Sequence, residues 1–429
     1  MLDIKFLREH SDKVKENIKK KFRNDRLKLV DEALLKDKKW RELKGEVDNL
    51  RAERNKISKE IADAKKAGKD TKKLLKEAGE IPDKIDGLEK KMYSLEEELA
   101  EILGKIPNMM HESVAIGKDD GENVTIRKIG KPKEFDFEIK NHAEVAEKLG
   151  IADFDASAKT SGNGFYYIEG DLALLSQAVI RFAIDKMVSK GFNYIETPLM
   201  LRGEVINKVT DLHDQKNMIY KIEDENLYLI GTSEHSMIGR YIDTILTEKQ
   251  LPMKQCSYSM CFRKEIGSHG IDEKGIYRNH QFNKVEMVVI CKPEDSMRYF
   301  EELQGITVEI FKDLEIPIRI LGICSGDLGD LKHIQVDIEA WSPRKKSYFE
   351  VGSCSNLTDA QARKLKIRVD NGKGEKYVPH TLNNTAITTS RAMVAILENY
   401  QQKDGTVKIP EVLLPYMHGK KVIGSSGKK

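Results

Sequence analysis

The chain is poor in the residues that staple or span. Its five cysteines, Cys256, Cys261, Cys291, Cys324 and Cys354, form no CxxC pair. A sparse, odd set makes a poor disulfide framework and predicts a reduced, cytoplasmic setting. No stretch reaches the 18 or so consecutive apolar residues of a membrane span. The nearest, ALLSQAVIRFAIDKMV, is broken by Gln177, Arg181, Asp185 and Lys186. The N-terminal MLDIKFLREHSDKVKENIKKKF is charged from its third residue and has no apolar signal core, so neither membrane nor export is expected. A large charge of one sign is also missing: 73 basic side chains face 70 acidic ones, a formal net charge of +3. Any nucleic acid must therefore meet a local patch rather than a polycation. There is no strand-bound GxGxxG and no GxxxxGK[ST], so neither common glycine-rich device holds a nucleotide. No Ser-His-Asp triad presents itself.

What is present divides by position. At 429 residues and 39% hydrophobic content, the chain is long enough for two or three domains. Trp40, Leu43, Val47, Leu50, Arg54, Ile57, Ile61 and Ala64 step by three and four, as do Ile85, Leu88, Met92, Leu95, Leu99 and Ile102. These are two apolar seams on otherwise charged helices. Gly68 marks the turn between them, and Gly79 with Pro82 predicts a break or kink in the return helix. An antiparallel helical hairpin follows, in which each stripe buries the other. A dimerisation coiled coil fits the same pattern. Around the turn stand Lys65, Lys66, Lys69, Lys72, Lys73 and Lys76 with a single aspartate, Asp70. Such a tip suits a phosphate backbone, which rewards lysine through counterion release.

Near Pro107 the pattern changes. We divide the chain into a helical domain over 1–106, a linker and entry segment over 107–165, and a larger domain over 166–429. Residues 170–190 read as a helix with Leu172, Leu175, Val179 and Phe182 on one side. Short strands then dominate, among them LPMKQCSYSMCFR, GIYRNHQFNKVEMVVI, HIQVDIEAWSP and KSYFEVGSCS, with few crossover helices between. That predicts an α+β fold with a mainly antiparallel sheet and helices packed on it.

The sheet carries unusual chemistry. Phe282, Lys284 and Glu286 share one strand face; Arg263 and Glu265 share parity on the preceding strand, with His269, Asp272 and Glu273 in the loop between. Asp337, Glu339 and Trp341 alternate with Ile338 and Ala340. Glu350 stands near Ser353, Thr232 and Glu234 end a strand, and Arg391 opens an apolar helix. Inward carboxylates are costly unless paired or bound to a cation. A ligand that needs both signs is a polyphosphate, gripped by Arg forks and a divalent ion, together with an amino-acid ammonium. The residues thus favour a nucleotide-dependent ligase. The rival class is a protein that only holds nucleic acid.

These residues resemble the seryl-tRNA synthetase family of class II aminoacyl-tRNA synthetases over nearly the whole chain. GFNYIETPLM is similar to the first class II motif, with Pro198 at the dimer interface. FRKE with GIYRNHQFNKVE resembles the second. Asn383 through Arg391, LENYQ and IPEVLLPYM resemble the third. The resemblance implies that this is an N-terminal tRNA-binding coiled-coil arm on a class II catalytic domain. It implies ATP-dependent formation of seryl-adenylate and transfer to serine tRNA, with selenocysteine tRNA as a further substrate. It also implies a homodimer whose arm, lysine tip included, holds tRNA across subunits.

By position the resemblance implies ATP contacts from Arg263, Glu265, Phe282 and Arg391, and Mg²⁺ held by Glu350 and Ser353. Arg263, Glu350 and Arg391 become the catalytic set. Thr232, Glu234 and Glu286 would meet the serine ammonium, and Asn383 with Thr385 the serine hydroxyl. Arg278 and Lys284 would stand close by. One departure is NNTAITTSR, where many relatives have a glycine-rich run. A zinc-dependent seryl enzyme type exists with a different N-terminal domain, so no zinc is expected. A ligase that charges a carrier protein lacks the long arm, and a non-catalytic paralogue would not need Arg263, Glu265, Glu350 and Arg391.

Overall fold

The structure is a computed structural model that describes residues 1–210, 217–265 and 274–424. The chain separates into two compact units, residues 1–107 and 108–429.

In the first unit two short helices, α1 (Ile4–Glu9) and α2 (Ser11–Lys20), bury Leu7, Val14 and Ile18. Two long ones follow, α3 (Leu27–Lys66) and α4 (Lys72–Lys105). At 1.5 Å per residue they run roughly 60 and 50 Å. They are antiparallel: Lys36 pairs with Glu98, Arg51 with Glu89 at 2.6 Å, and Val47 and Ile57 pack with Ile81 and Ile85. The expected interruption at Gly79 and Pro82 is not a break, since α4 continues through both. The proline removes one helical hydrogen bond. Ile81 and Ile85 on either side of it stay buried against α3, which keeps the helix seated.

The second unit is built on an eight-stranded sheet. In chain order its strands are β1 (Val124–Ile129), β2 (Asn193–Tyr194), β3 (Met253–Phe262), β4 (Gln281–Cys291), β5 (Ile318–Gly322), β6 (Ile334–Ser342), β7 (Ser347–Asn356) and β8 (His380–Thr388). They lie in the order β1-β5-β6-β7-β8-β4-β3-β2. Every pairing is antiparallel except β2 with β3. Around the sheet stand α5 (His142–Lys148), α6 (Phe154–Ser161), α7 (Gly170–Ser189), α8 (Ser233–Gly239), α9 (Ser296–Asp313), α10 (Ala360–Lys364) and α11 (Thr389–Asn399).

Side-chain alternation splits β4 between two environments. Val285, Met287 and Val289 enter the main core with Leu172, Leu175 and Val179 of α7, Leu303 and Ile306 of α9, and Ala392 and Met393 of α11. Burying a side chain of this size is worth about 1.5–3 kcal/mol, so this face binds the helices to the sheet. On the opposite face Val288 and Ile290 pack in a smaller core with Met237, Ile238, Ala362 and Leu365. Further along that second face, Glu286, Lys284 and Phe282 line an open cleft instead.

Two β-bulges aim the cleft residues. In β7 the register slips so that Ile338 faces Gly352 while Glu339 faces Glu350. The extra residue, Val351, returns Glu350 to the face that carries Ser353 and Ser355. In β8 Thr385 faces Glu286 while Ile387 faces Val285, so that Thr388 continues the cleft face after Thr385. Neither slip is visible in strict alternation.

Candidate active site

The cleft has a volume of ≈ 370 Å³. Its lining includes every candidate named for nucleotide, metal or amino acid: Thr232, Glu234, Arg263, Glu265, Phe282, Glu286, Glu350, Ser353, Asn383, Thr385 and Arg391. Arg278 and Lys284 line it too. The structure thus gathers residues separated by up to 159 positions.

The nucleotide-side candidates come from the β3–β4 connection, β4, β7 and α11. Arg263 and Glu265 were expected within a strand, but β3 ends at Phe262. Glu265 sits at φ +50, which a strand does not accommodate. The backbone is held here by Arg263 N–H donating to the His280 carbonyl at 2.8 Å and Lys264 N–H to the Met218 carbonyl at 2.9 Å. Arg263 Nε donates to the Gly231 carbonyl at 3.1 Å, and its guanidinium stands 5.2 Å from the Phe282 ring centre. Arg278 donates to Glu265 at 2.8 Å. The loop residues His269, Asp272 and Glu273 lie outside the described residues.

Arg391, in the first turn of α11, donates to the Glu350 carboxylate at 3.0 Å and lies 5.5 Å from the Tyr277 ring centre. Burial pushes the Glu350 carboxyl up, but the Arg391 charge and hydrogen bond, with Arg263 and Lys332, outweigh it and hold the carboxyl below its ordinary value. Asp337 behaves oppositely: burial, then the Glu350 charge, push it up to about 7. Two neighbouring carboxylates with opposite shifts give the cleft one firmly anionic group and one that readily takes a proton.

The amino-acid-side candidates surround a buried Lys284–Glu286 pair at 2.7 Å. Thr385 Oγ1 donates to Glu286 at 3.2 Å. Thr232 caps α8, its hydroxyl accepting from Glu234 N–H at 3.3 Å. Gln361 of α10 donates to Glu234 at 3.0 Å. Burial, then the Glu286 charge, raise the Glu234 carboxyl, so an arriving ammonium would relieve both carboxylates. Asn383 lies on β8 beside Thr385 on the same face and is buried.

Among the described residues no group of three or more His, Cys, Asp and Glu could hold a metal alone. That does not argue against Mg²⁺, which keeps waters and takes ligands from substrate phosphates. The Glu350 carboxylate, partly exposed, and the Ser353 hydroxyl on one bulged strand face are hard oxygen donors that fit it.

Sequence reasoning missed several lining residues. His235, Tyr277, Lys332 and Gln335 all reach the cleft, and Asp337, noticed only as part of an alternation, is at its floor. Gln335 bridges Asp337 at 2.7 Å and Ser353 at 2.9 Å, and accepts from Lys332 at 2.7 Å. Asp337 and Gln335 had a signal, their place on the face of Glu339. Glu339 itself pairs with Arg319, and Trp341 stacks edge-on with Tyr348, so neither lines the cleft. Cys324 is buried away from the lining. Lys65, Lys66, Lys69, Lys72, Lys73 and Lys76 are all exposed around the turn between α3 and α4.

Comparison with known proteins is consistent across both units. The seryl-tRNA synthetase N-terminal domain matches residues 1–110, and the class II tRNA synthetase core domain (G, H, P, S and T) matches residues 220–400. A serine–tRNA ligase of Methanospirillum hungatei is 47% identical over 425 residues, covering 99% of this chain and 100% of that one. The crystal structure of seryl-tRNA synthetase from Pyrococcus horikoshii complexed with ATP superposes with TM-score 0.92 at 42% identity, over 99% of each chain. The cytoplasmic serine–tRNA ligase of Naegleria fowleri, in complex with AMP, gives TM-score 0.87 at 32% identity, over 99% of this chain and 98% of that one.

Proposed function

The chain belongs to the seryl-tRNA synthetase family and activates serine with ATP for transfer to tRNA; from that premise we propose how its residues divide the work. The observation that supports the division is that eleven side chains from β4, β7, β8, α8, α11 and the β3–β4 connection line one cleft.

Arg263 takes the α-phosphate of ATP, Glu265 the adenine amino group, and Phe282 stacks beneath the base. Arg391 lies against the γ-phosphate side. Glu350 and Ser353 would hold Mg²⁺, which would offset phosphate charge. Thr232, Glu234 and Glu286 bind the serine ammonium, and Asn383 with Thr385 reads the hydroxyl.

The serine carboxylate then attacks the α-phosphorus in line and pyrophosphate leaves. A carboxylate is already nucleophilic, so positioning matters more than proton transfer. Arg263 stabilises charge growing on the phosphoryl oxygens. In the second step the terminal ribose hydroxyl of tRNA attacks the seryl carbonyl and AMP leaves.

The exposed lysines of the α3–α4 turn engage the tRNA backbone, in a homodimer joined through the segment around Pro198. Five free, buried cysteines suit the cytoplasm. Serine-dependent ATP–pyrophosphate exchange, followed by charging of serine tRNA, tests the reading. An absence of exchange with serine, when another amino acid supports it, would overturn it.

A further inference from the structure

His142, the first residue of α5, lies against the back of one cleft wall. Its ring is buried, and Nε2 accepts the backbone N–H of Ile276 at 3.2 Å. The preceding residue, Gly275, sits at φ +145, and a Cβ there would stand 2.4 Å from the same Nε2. Only glycine lets the backbone approach the imidazole this closely. An N–H can only donate, so the neutral ring carries its proton on Nδ1. That Nδ1 is buried and has no partner among the described residues. A buried unpaired donor is unusual enough to need a reason, and the acceptor on the other side of the ring supplies one.

The segment so held leads directly into the cleft. Asn279 Nδ2 closes it by donating to the Gly275 carbonyl at 3.2 Å, and Ile276 itself is in the main core. Tyr277, Arg278 and Asn279 line the cleft. Arg278 meets Glu265, and Tyr277 lies beneath Arg391. Lys274 adds ion pairs to Glu147 of α5 at 2.6 Å and Asp155 of α6 at 3.0 Å. Those pairs are largely exposed and hold weakly. The buried imidazole contact is the firm one.

We propose that His142 is a positioning residue for serine activation: its Nε2 clamps Gly275–Asn279 so that Arg278 and Tyr277 stand in place beside Glu265 and Arg391. The inference rests on reading this cleft wall as the ATP side.

The test compares His142→Gln with His142→Leu in the full chain. A glutamine oxygen reaches the place of Nε2 and accepts from Ile276, whereas leucine fills the space and cannot. His142→Asn, whose amide falls short, replaces the leucine variant if that one melts early. In pyrophosphate exchange the leucine variant should raise KM for ATP about tenfold with KM for serine little changed, and the glutamine variant should stay within about twofold of the parent. Amide hydrogen exchange at Ile276, measured without ligands, should quicken with leucine and not with glutamine. Unchanged ATP KM and unchanged Ile276 exchange in the leucine variant would overturn the proposal. So would a glutamine variant as impaired as the leucine one while both melt like the parent. The ligand-free exchange reports on the clamp alone, while serine-dependent turnover of the parent reports on the cleft, so the two readings fail separately.

Discussion

Arg391 grips Glu350 twice, donating through one nitrogen to the carboxylate at 3.0 Å and to the backbone carbonyl at 3.1 Å. The carbonyl contact fixes the arginine to the bulged part of β7, and the carboxylate contact keeps Glu350 ionised in a cleft that otherwise disfavours charge. Removing Arg391 takes away the largest attraction on a carboxylate that Arg263 and Lys332 also face. Glu350→Ala is expected to lower serine-dependent pyrophosphate exchange on the order of a hundredfold and to raise the Mg²⁺ concentration for half-maximal rate. A magnesium titration of the exchange rate checks both. Loss of rate with an unaltered magnesium midpoint would remove Glu350 from the metal role.

The serine hydroxyl should report on Asn383. A site that hydrogen-bonds a substrate hydroxyl rejects the analogue lacking it, because its own polar groups are left unpaired. Asn383→Ala is expected to raise KM for serine roughly five- to thirtyfold and to leave KM for ATP nearly unchanged, since one such contact is worth about 1–2 kcal/mol. Steady-state exchange with each substrate varied separately decides it. An equal rise for both substrates would place the defect in the fold of β8 instead.

Charge removal at the helical turn should separate the two half-reactions. Alanine at Lys65, Lys66, Lys69, Lys72, Lys73 and Lys76 is expected to leave adenylate formation intact and to weaken tRNA charging. The salt dependence of tRNA binding should flatten, because each lost phosphate contact removes roughly one unit of the log–log slope. Filter binding at several salt concentrations gives that slope. An unaltered slope would show that these lysines are only solvated surface.

His235 should show in stability against pH. Burial, then the Lys284 and Arg263 charges, hold its ring down from 6.5 to about 3. Between those values the unfolded chain binds a proton that the native state refuses. The contribution is therefore complete above pH 6.5 and is lost as pH falls toward about 3. Within that window the parent should lose about 1.4 kcal/mol per pH unit more than His235→Gln. Denaturant midpoints for both proteins at pH 7, 6 and 5 measure the difference, and parallel lines would contradict it.

Much of this is legible in the sequence. The two apolar seams meet as Val47 and Ile57 against Ile81 and Ile85, because a stripe at helical period must hide against a second one and the turn at Gly68 brings its neighbour alongside. Phe282, Lys284 and Glu286 share the cleft face because strand alternation is strict within an unbroken ladder. Alternation failed where the ladder slips: Glu350 joins Ser353 only through the bulge at Val351. Arg263 and Glu265 were read as strand residues, but they arrive from a turn whose positive φ no parity rule anticipates. Lys332 carried no local signal at all.

The sequence by itself determined the helical seams and the antiparallel sheet, because periodicity is a local property of the chain, and its motifs carried the resemblance to the family. The tertiary structure alone decided which distant groups meet: Arg391 on Glu350 and His142 on Ile276. Such a meeting depends on strand register and on contacts between segments far apart in the chain, and a single inserted bulge residue reverses the direction in which a side chain points.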